Sequence, residues 1–229
     1  MTNRPTLSEL SAEFFGSMLL VTAAVSSMLL FTATFESTKS IAVLANAITV
    51  AFVLCALIEI FAPISGAHFN PVVTMIMAFE KRIGAAKFGL YIFVQIAGGV
   101  TGTLLARLMF LEYVGSMLAI SDTARSHTYI GEIIGTFFLI LAILLLVKAG
   151  SSKIPLTIGL LVGGQIMATS STMFANPQVT IARMFTNSPA GIRPLDGALF
   201  IAMQLIGALL AYAVYRFIFA KSTQTEEIQ

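Results

Sequence analysis

Charged residues are missing from long stretches of this chain. Six runs, at 14–35, 40–58, 88–106, 133–147, 154–182 and 197–215, contain no Asp, Glu, Lys or Arg. Each is long enough, alone or with its neighbours, to cross a hydrocarbon core about 30 Å thick. With 57% hydrophobic and only 10% charged residues, the 229-residue chain reads as one membrane-embedded unit, 1–229, with no room for a soluble domain. A net charge of +2, scattered along the chain, excludes a nucleic-acid surface. Cys55 is the single cysteine, so no intramolecular disulfide can form.

Two further apolar pieces, at 72–79 and 178–185, follow Asn-Pro directly. They are too short to cross as helices and are expected to be half-spanning segments. Asn-Pro is a good helix start, because the Asn oxygen caps an orphan N–H while Pro, which has none, takes the first helical position.

The two halves of the chain repeat. Glu13-Phe14-Phe15-Gly16-Ser17 returns as Glu132-Ile133-Ile134-Gly135-Thr136. Asn70-Pro71-Val72-Val73-Thr74 returns as Asn176-Pro177-Gln178-Val179-Thr180, and Gln95-Ile96-Ala97-Gly98 as Gln204-Leu205-Ile206-Gly207. Three spans per copy is an odd number, so the second copy enters from the opposite side. The expected architecture is an all-α membrane protein of six transmembrane helices plus two re-entrant half-helices in an inverted repeat, with copies at 9–112 and 128–218.

Six spans place both termini on one face. If that face is cytoplasmic, Arg4, Lys81, Arg82, Lys87, Lys148, Lys153, Arg216 and Lys221 all lie inside, eight of the 13 basic residues, as the positive-inside rule favours. The first eleven residues lack the basic cap, apolar run and cleavage site of a secretory signal, so no processing is expected. The polar tail, 221–229, is expected to fray.

With its oxygen engaged as a cap, each Asn keeps an amide NH₂ to offer the space where the half-helices meet. Asn70 and Asn176 are thus the expected centre of a pore. The stretches before them must be non-helical at membrane depth, which is tolerated only where protein or a water-filled cavity satisfies the backbone. Two converging helix N-termini oppose cations and tolerate neutral molecules. Glu13 and Glu132, in apolar helices where a lone carboxylate costs roughly 2.5 kcal/mol or more, are expected to be buried and paired. No nucleophile–base pair and no metal-ligating cluster is evident, so neither an enzyme nor a cofactor is expected.

These residues resemble the aquaporin and glycerol-facilitator (major intrinsic protein) family from Glu13 to about Tyr215. The carriers are Ser65-Gly66-Ala67-His68-Phe69-Asn70-Pro71, Asn176-Pro177 and the two Glu-containing repeat starts. The resemblance implies an hourglass fold, a homotetramer with one pore per subunit in membrane lipid, small neutral solutes as partners, and Glu13 and Glu132 holding the re-entrant loops. His68 is expected to support the pore with its ring bound to backbone.

The chain departs from the family in two places. The usual Asn-Pro-Ala is here Asn-Pro-Val and Asn-Pro-Gln, putting Val72 and Gln178 at the central constriction; Gln178 either reaches the pore or bonds a neighbouring loop. Counting from the two Asn residues, the family's outer filter maps onto Val50, Gly164, Met173 and Val179, without the usual Arg. This pattern implies a wider, more apolar gate and resembles the metalloid-permeable branch, so arsenite or antimonite is an expected solute beside water and glycerol. Arg183, one turn beyond Val179, is either a displaced filter Arg or a helix-end Arg tied to loop carbonyls. A proton-coupled transporter and a closed structural membrane protein are the competing readings. Short loops point to a prokaryotic inner (plasma) membrane with both termini cytoplasmic.

Overall fold

The computed structural model describes residues 4–220; the polar tail lies outside the described residues. All regular structure among them is helical: α1 (Leu7–Leu29), α2 (Lys39–Ser65), α3 (Pro71–Phe79), α4 (Ala85–Met109), a single turn α5 (Leu111–Val114), α6 (Tyr129–Lys148), α7 (Ile154–Ala168), α8 (Pro177–Arg183) and α9 (Pro194–Val214). One π-helical turn extends α1 over Leu30–Thr34 and another extends α9 over Tyr215–Phe219. The start of α1 is fixed by a capping box in which Thr6 and Glu9 satisfy each other's backbone N–H groups.

Five helices, α1, α2, α4, α6 and α9, are long and apolar enough to cross a membrane. The sixth span, α7, has only 15 residues, about 22 Å at the α-helical rise. The apolar run 154–182 is thus divided among α7, an extended loop and α8. The half-helices are α3 and α8. The second stops at Arg183, two residues earlier than the apolar run suggested, where Met184 N bonds Ile181 O and Phe185 N bonds Ala182 O in a tight turn.

Packing follows the repeat. Helix α1 lies along α4 and α6 along α9, while α2 and α7 meet across the two halves. Gly98 and Gly207 explain the first two approaches. A Cβ at Gly98 would stand 2.3 Å from Phe14 O, and one at Gly207 2.4 Å from Ile133 O. Only a bare backbone allows helices this close, the usual device where lipid offers no hydrophobic drive to association.

Because the chain crosses six times, one face carries the start of α1 and the end of α9 and is called here the near face; the far face carries the long connection between α4 and α6. Four buried or half-buried Arg residues knot the far loops. Arg107 donates to Ser116 O (3.0 Å) and Thr186 Oγ1 (3.1 Å). Arg193 pairs with Asp196 at 2.8 Å, Asp196 also accepts from Arg125 N and Tyr129 OH, and Arg183 Nε donates to Ala190 O.

Candidate pore and its supports

The two re-entrant loops are built on the same local chemistry. Asn70 and Asn176 take nearly the same backbone angles (φ −157° for both, ψ 119° and 110°). Asn70 Oδ1 accepts from Val72 N at 3.0 Å and Asn176 Oδ1 from Gln178 N at 3.1 Å, with Pro71 and Pro177 in the first helical position. Before each cap the chain visits left-handed conformations that L-residues avoid, at Ala67 and Phe69 (φ 50° and 47°) and at Met173 and Ala175 (φ 39° and 45°). Each costs on the order of 1 kcal/mol, so other bonds must hold it in place.

Those bonds come from the two buried glutamates. Glu13 accepts from Ser65 Oγ (2.7 Å), His68 N (2.9 Å), Phe69 N (2.8 Å) and Gln95 Nε2 (2.8 Å). Glu132 accepts from Phe174 N (2.9 Å), Ala175 N (2.8 Å) and Gln204 Nε2 (2.6 Å). Both carboxylates are fully buried. Gln95 and Gln204 also reach Thr74 Oγ1 and Thr180 Oγ1, each at 2.9 Å, which ties each loop to its own half-helix. The sequence marked these glutamines as repeat signals without giving them this task. A Gln recurring in an apolar span was the available clue.

The half-helices meet where the caps cross. Asn70 Nδ2 donates to Ala175 O at 2.9 Å, and Asn176 Nδ2 to Phe69 O at 2.8 Å. One N–H of each amide is therefore spent on the opposite loop, and one is left over. The remaining pair borders a cavity of about 640 Å³ that reaches from Arg82 and Lys87 at the near face, past both Asn residues, to Arg183. Its walls follow an i, i+4 rhythm: Asn46, Val50, Leu54 and Ile58 of α2, and Ile154, Ile158, Val162 and Ile166 of α7, face inward.

Three expectations are corrected by this geometry. Val72 and Gln178, placed at the central constriction, do not border the cavity. They are second residues of their half-helices and point away from the axis, while Val73 and Val179, about 100° further round, point in. Val72 joins an apolar cluster with Ile140 and Ala208. Gln178 is fully buried, and its Nε2 donates to Phe69 O at 3.2 Å, so of its two expected positions it takes the loop-bonding one. Its Oε1 lacks a partner and fills the space a Cβ would need at Gly99, 2.0 Å away.

Gly164 also lies off the cavity. It is exposed on the outer side of α7, roughly opposite Val162 and Ile166, and a Cβ there would meet nothing. The face of α7 that borders the cavity carries Ile154, Ile158, Val162 and Ile166, and Gly164 is about 200° round the helix from each of the last two. Ile166 borders the cavity together with Val50, Met173 and Val179, and the glycine expected in that set does not. Finally, the His68 ring pairs with a hydroxyl rather than backbone: Nδ1 and Thr74 Oγ1 lie 3.1 Å apart, and the ring packs edge-on to Tyr91. His68, Val50, Met173 and Val179 all border the cavity.

Arg183 does both of the things weighed for it, bonding a loop carbonyl and bordering the cavity. Its guanidinium carbon lies 3.9 Å from the centre of the Phe174 ring, and that of Arg125 lies 4.8 Å from the same ring. Burial pushes the Arg125 guanidinium down to about 10, opposed by the Glu132 carboxylate, so it stays charged at neutral pH. Two cations thus stand at the far mouth. At the near mouth Lys87 and Glu9 pair at 2.5 Å.

The family model for "Major intrinsic protein" matches residues 1–175, ending just before the Asn176-Pro177-Gln178 segment. A bacterial relative, aquaglyceroporin AqpS of Rhizobium meliloti, is 35% identical over 207 residues, covering 90% of this chain and 88% of its own. The aquaglyceroporin of Toxoplasma gondii is 27% identical over 89% of this chain and 76% of its own. The X-ray structure of the aquaglyceroporin from Plasmodium falciparum superposes with a TM-score of 0.73 at 19% identity, covering 93% of this chain and 97% of that one, and shows the same fold. On the extent of the first two matches, the chain is a membrane channel, not an enzyme, and belongs to the major intrinsic protein family.

Proposed function

We propose that this channel passes water, glycerol-like polyols and the neutral hydroxides of trivalent arsenic and antimony by facilitated diffusion. The observation that carries the reading is the pair of Asn amides, each with one N–H committed to the opposite loop and one facing a continuous cavity. A solute oxygen passing the midplane exchanges water for these two donors, while the converging half-helix ends repel cations. The pore constriction in this reading is Asn70 and Asn176, and the outer filter is Val50, Met173 and Val179 with Ile166. No energy source enters, so the solute gradient sets direction.

The matched supports of the two loops favour a single channel domain made of inverted repeats at 9–112 and 128–218. The family favours a homotetramer in lipid. The distribution of Lys and Arg favours cytoplasmic termini, and the bacterial relative favours a prokaryotic inner membrane. Metalloid passage is supported by Val179 standing where a filter Arg is usual, which leaves the wall apolar at that height.

Stopped-flow permeability of purified protein in liposomes, for water, glycerol and arsenous acid against empty vesicles, tests this. Entry of all three well above the lipid background is expected. Water entry alone would remove polyols and metalloids from the proposal.

A further inference from the structure

The filter positions offer a passing solute almost nothing polar. Val50, Met173, Val179 and Ile166 carry no conventional hydrogen-bond donor in their side chains, yet a hydroxylated solute that leaves water must replace its lost bonds. One helical turn nearer the far face the chemistry changes. Asn46 precedes Val50 by four residues and Arg183 follows Val179 by four, so each lies on the same side of its helix, about 6 Å farther along it. Both border the cavity, and both are only 5% exposed.

We propose that small neutral polyhydroxy solutes are read at this displaced level, by the Asn46 carboxamide and the Arg183 guanidinium acting together. Neither side chain is free to turn aside. Asn46 Nδ2 donates to Ala24 O and to Ser27 Oγ, both at 2.8 Å. That fixes the amide and leaves Oδ1, which has no protein donor among the described residues, as an acceptor for a solute hydroxyl. Arg183 is pinned through Nε to Ala190 O and through its face to Phe174, and its two terminal nitrogens have no protein acceptor among the described residues.

The contrast with Arg125 supports the assignment. Arg125 stacks on the same ring but spends its donors on Gly191 O (2.9 Å), Pro189 O (3.1 Å), Ser171 O (3.5 Å) and Thr172 Oγ1 (3.4 Å), and it does not border the cavity. It is a prop. Arg183 is held by the ring with its terminal donors unspent. A hydroxyl accepting from Arg183 and donating to Asn46 has both of its functions satisfied, whereas a cation at this level meets a fixed positive charge.

This assignment rests on the chain conducting neutral solutes, and the test separates the two. Wild type, Arg183→Met, Arg183→Lys and Asn46→Leu are compared in liposomes, reading the ratio of glycerol to water permeability and the sodium leak in the same vesicles. Arg183→Met is expected to lower the ratio roughly tenfold, the scale of losing a charge-assisted hydrogen bond, and to raise the leak. Arg183→Lys keeps the charge without the fork, so the leak stays at the wild-type level while the ratio falls. Asn46→Leu lowers the ratio with no leak. Unchanged ratio and leak in Arg183→Met and Asn46→Leu, with a conducting wild type, overturn the proposal. A wild type that passes no solute overturns the channel reading beneath it. Should Arg183→Met not insert, Asn46→Leu alone decides, since its ratio either falls or does not.

Discussion

The two re-entrant loops share a skeleton and differ in what they show the pore. Both descend through left-handed residues, both are clamped by a buried Glu, and both end in an Asn cap that reaches across to the other loop. The side chains hung on that skeleton diverge. Where the first loop carries His68, bonded to Thr74, the second carries Phe174, stacked under two Arg residues. Where the first half-helix has Val72 in an apolar cluster, the second has Gln178 bonded to Phe69 O. The strained backbone and its clamp are thus common to both halves, and the asymmetry lies in the side chains they carry.

The largest expected effect tests the shared skeleton. Glu13→Ala and Glu132→Ala each leave two loop backbone N–H groups without their acceptor and take from a buried glutamine amide one of its two acceptors, and each is expected to cost about 3–5 kcal/mol and abolish transport. Glu13 also holds Ser65 Oγ, so its loss should lower the detergent melting temperature further than loss of Glu132. Equal or smaller effects at Glu13 would break the comparison.

A smaller effect probes the asymmetry at Gln178. Gly99→Ala places a Cβ on Gln178 Oε1 and should cost about 1–3 kcal/mol by overpacking. The double variant with Gln178→Ala should recover most of that loss, a coupling that a double-mutant cycle on thermal unfolding measures. Additive losses would mean that the two residues do not meet. Next, Ile166→Ala should raise glycerol permeability several-fold by widening the far half of the wall, while Gly164→Ala leaves it unchanged; swelling assays that gave the reverse would restore the sequence-based filter position. The smallest change is His68→Phe, which makes the first loop resemble the second. It removes the bond to Thr74 and should cost about 1 kcal/mol of stability, read as a slight fall in melting temperature with water permeability retained.

The fold was readable because membrane insertion leaves strong signals. Charge-free runs, Asn-Pro starts and a repeated Glu each have one economical explanation in lipid, and the six crossings and two half-helices followed. The short α7 was hidden inside a single apolar run, because hydropathy does not distinguish helix from an extended loop that lines a cavity. The residues at the site divide in the same way. Asn70, Asn176, Glu13 and Glu132 were legible from capping and from the cost of burying charge. Val72, Gln178 and Gly164 were misplaced because side-chain direction depends on helix phase and loop length, which counting along a family pattern does not carry. Asn46 and Arg125 were missed as parts of the far mouth. A lone Asn in the run 40–58 was the sequence's only trace of the first, and the second declares itself only when Phe174 and the loop carbonyls come together in space.

The central claim is that neutral solutes, and not cations, cross between the two Asn amides. The most direct measurement is glycerol uptake and sodium leak recorded in the same proteoliposomes for wild type and for Asn70→Leu with Asn176→Leu. The account predicts rapid glycerol uptake without sodium leak in the wild type and loss of uptake in the double variant. Wild-type uptake that persists in a correctly inserted double variant, or sodium crossing as readily as glycerol, would contradict it.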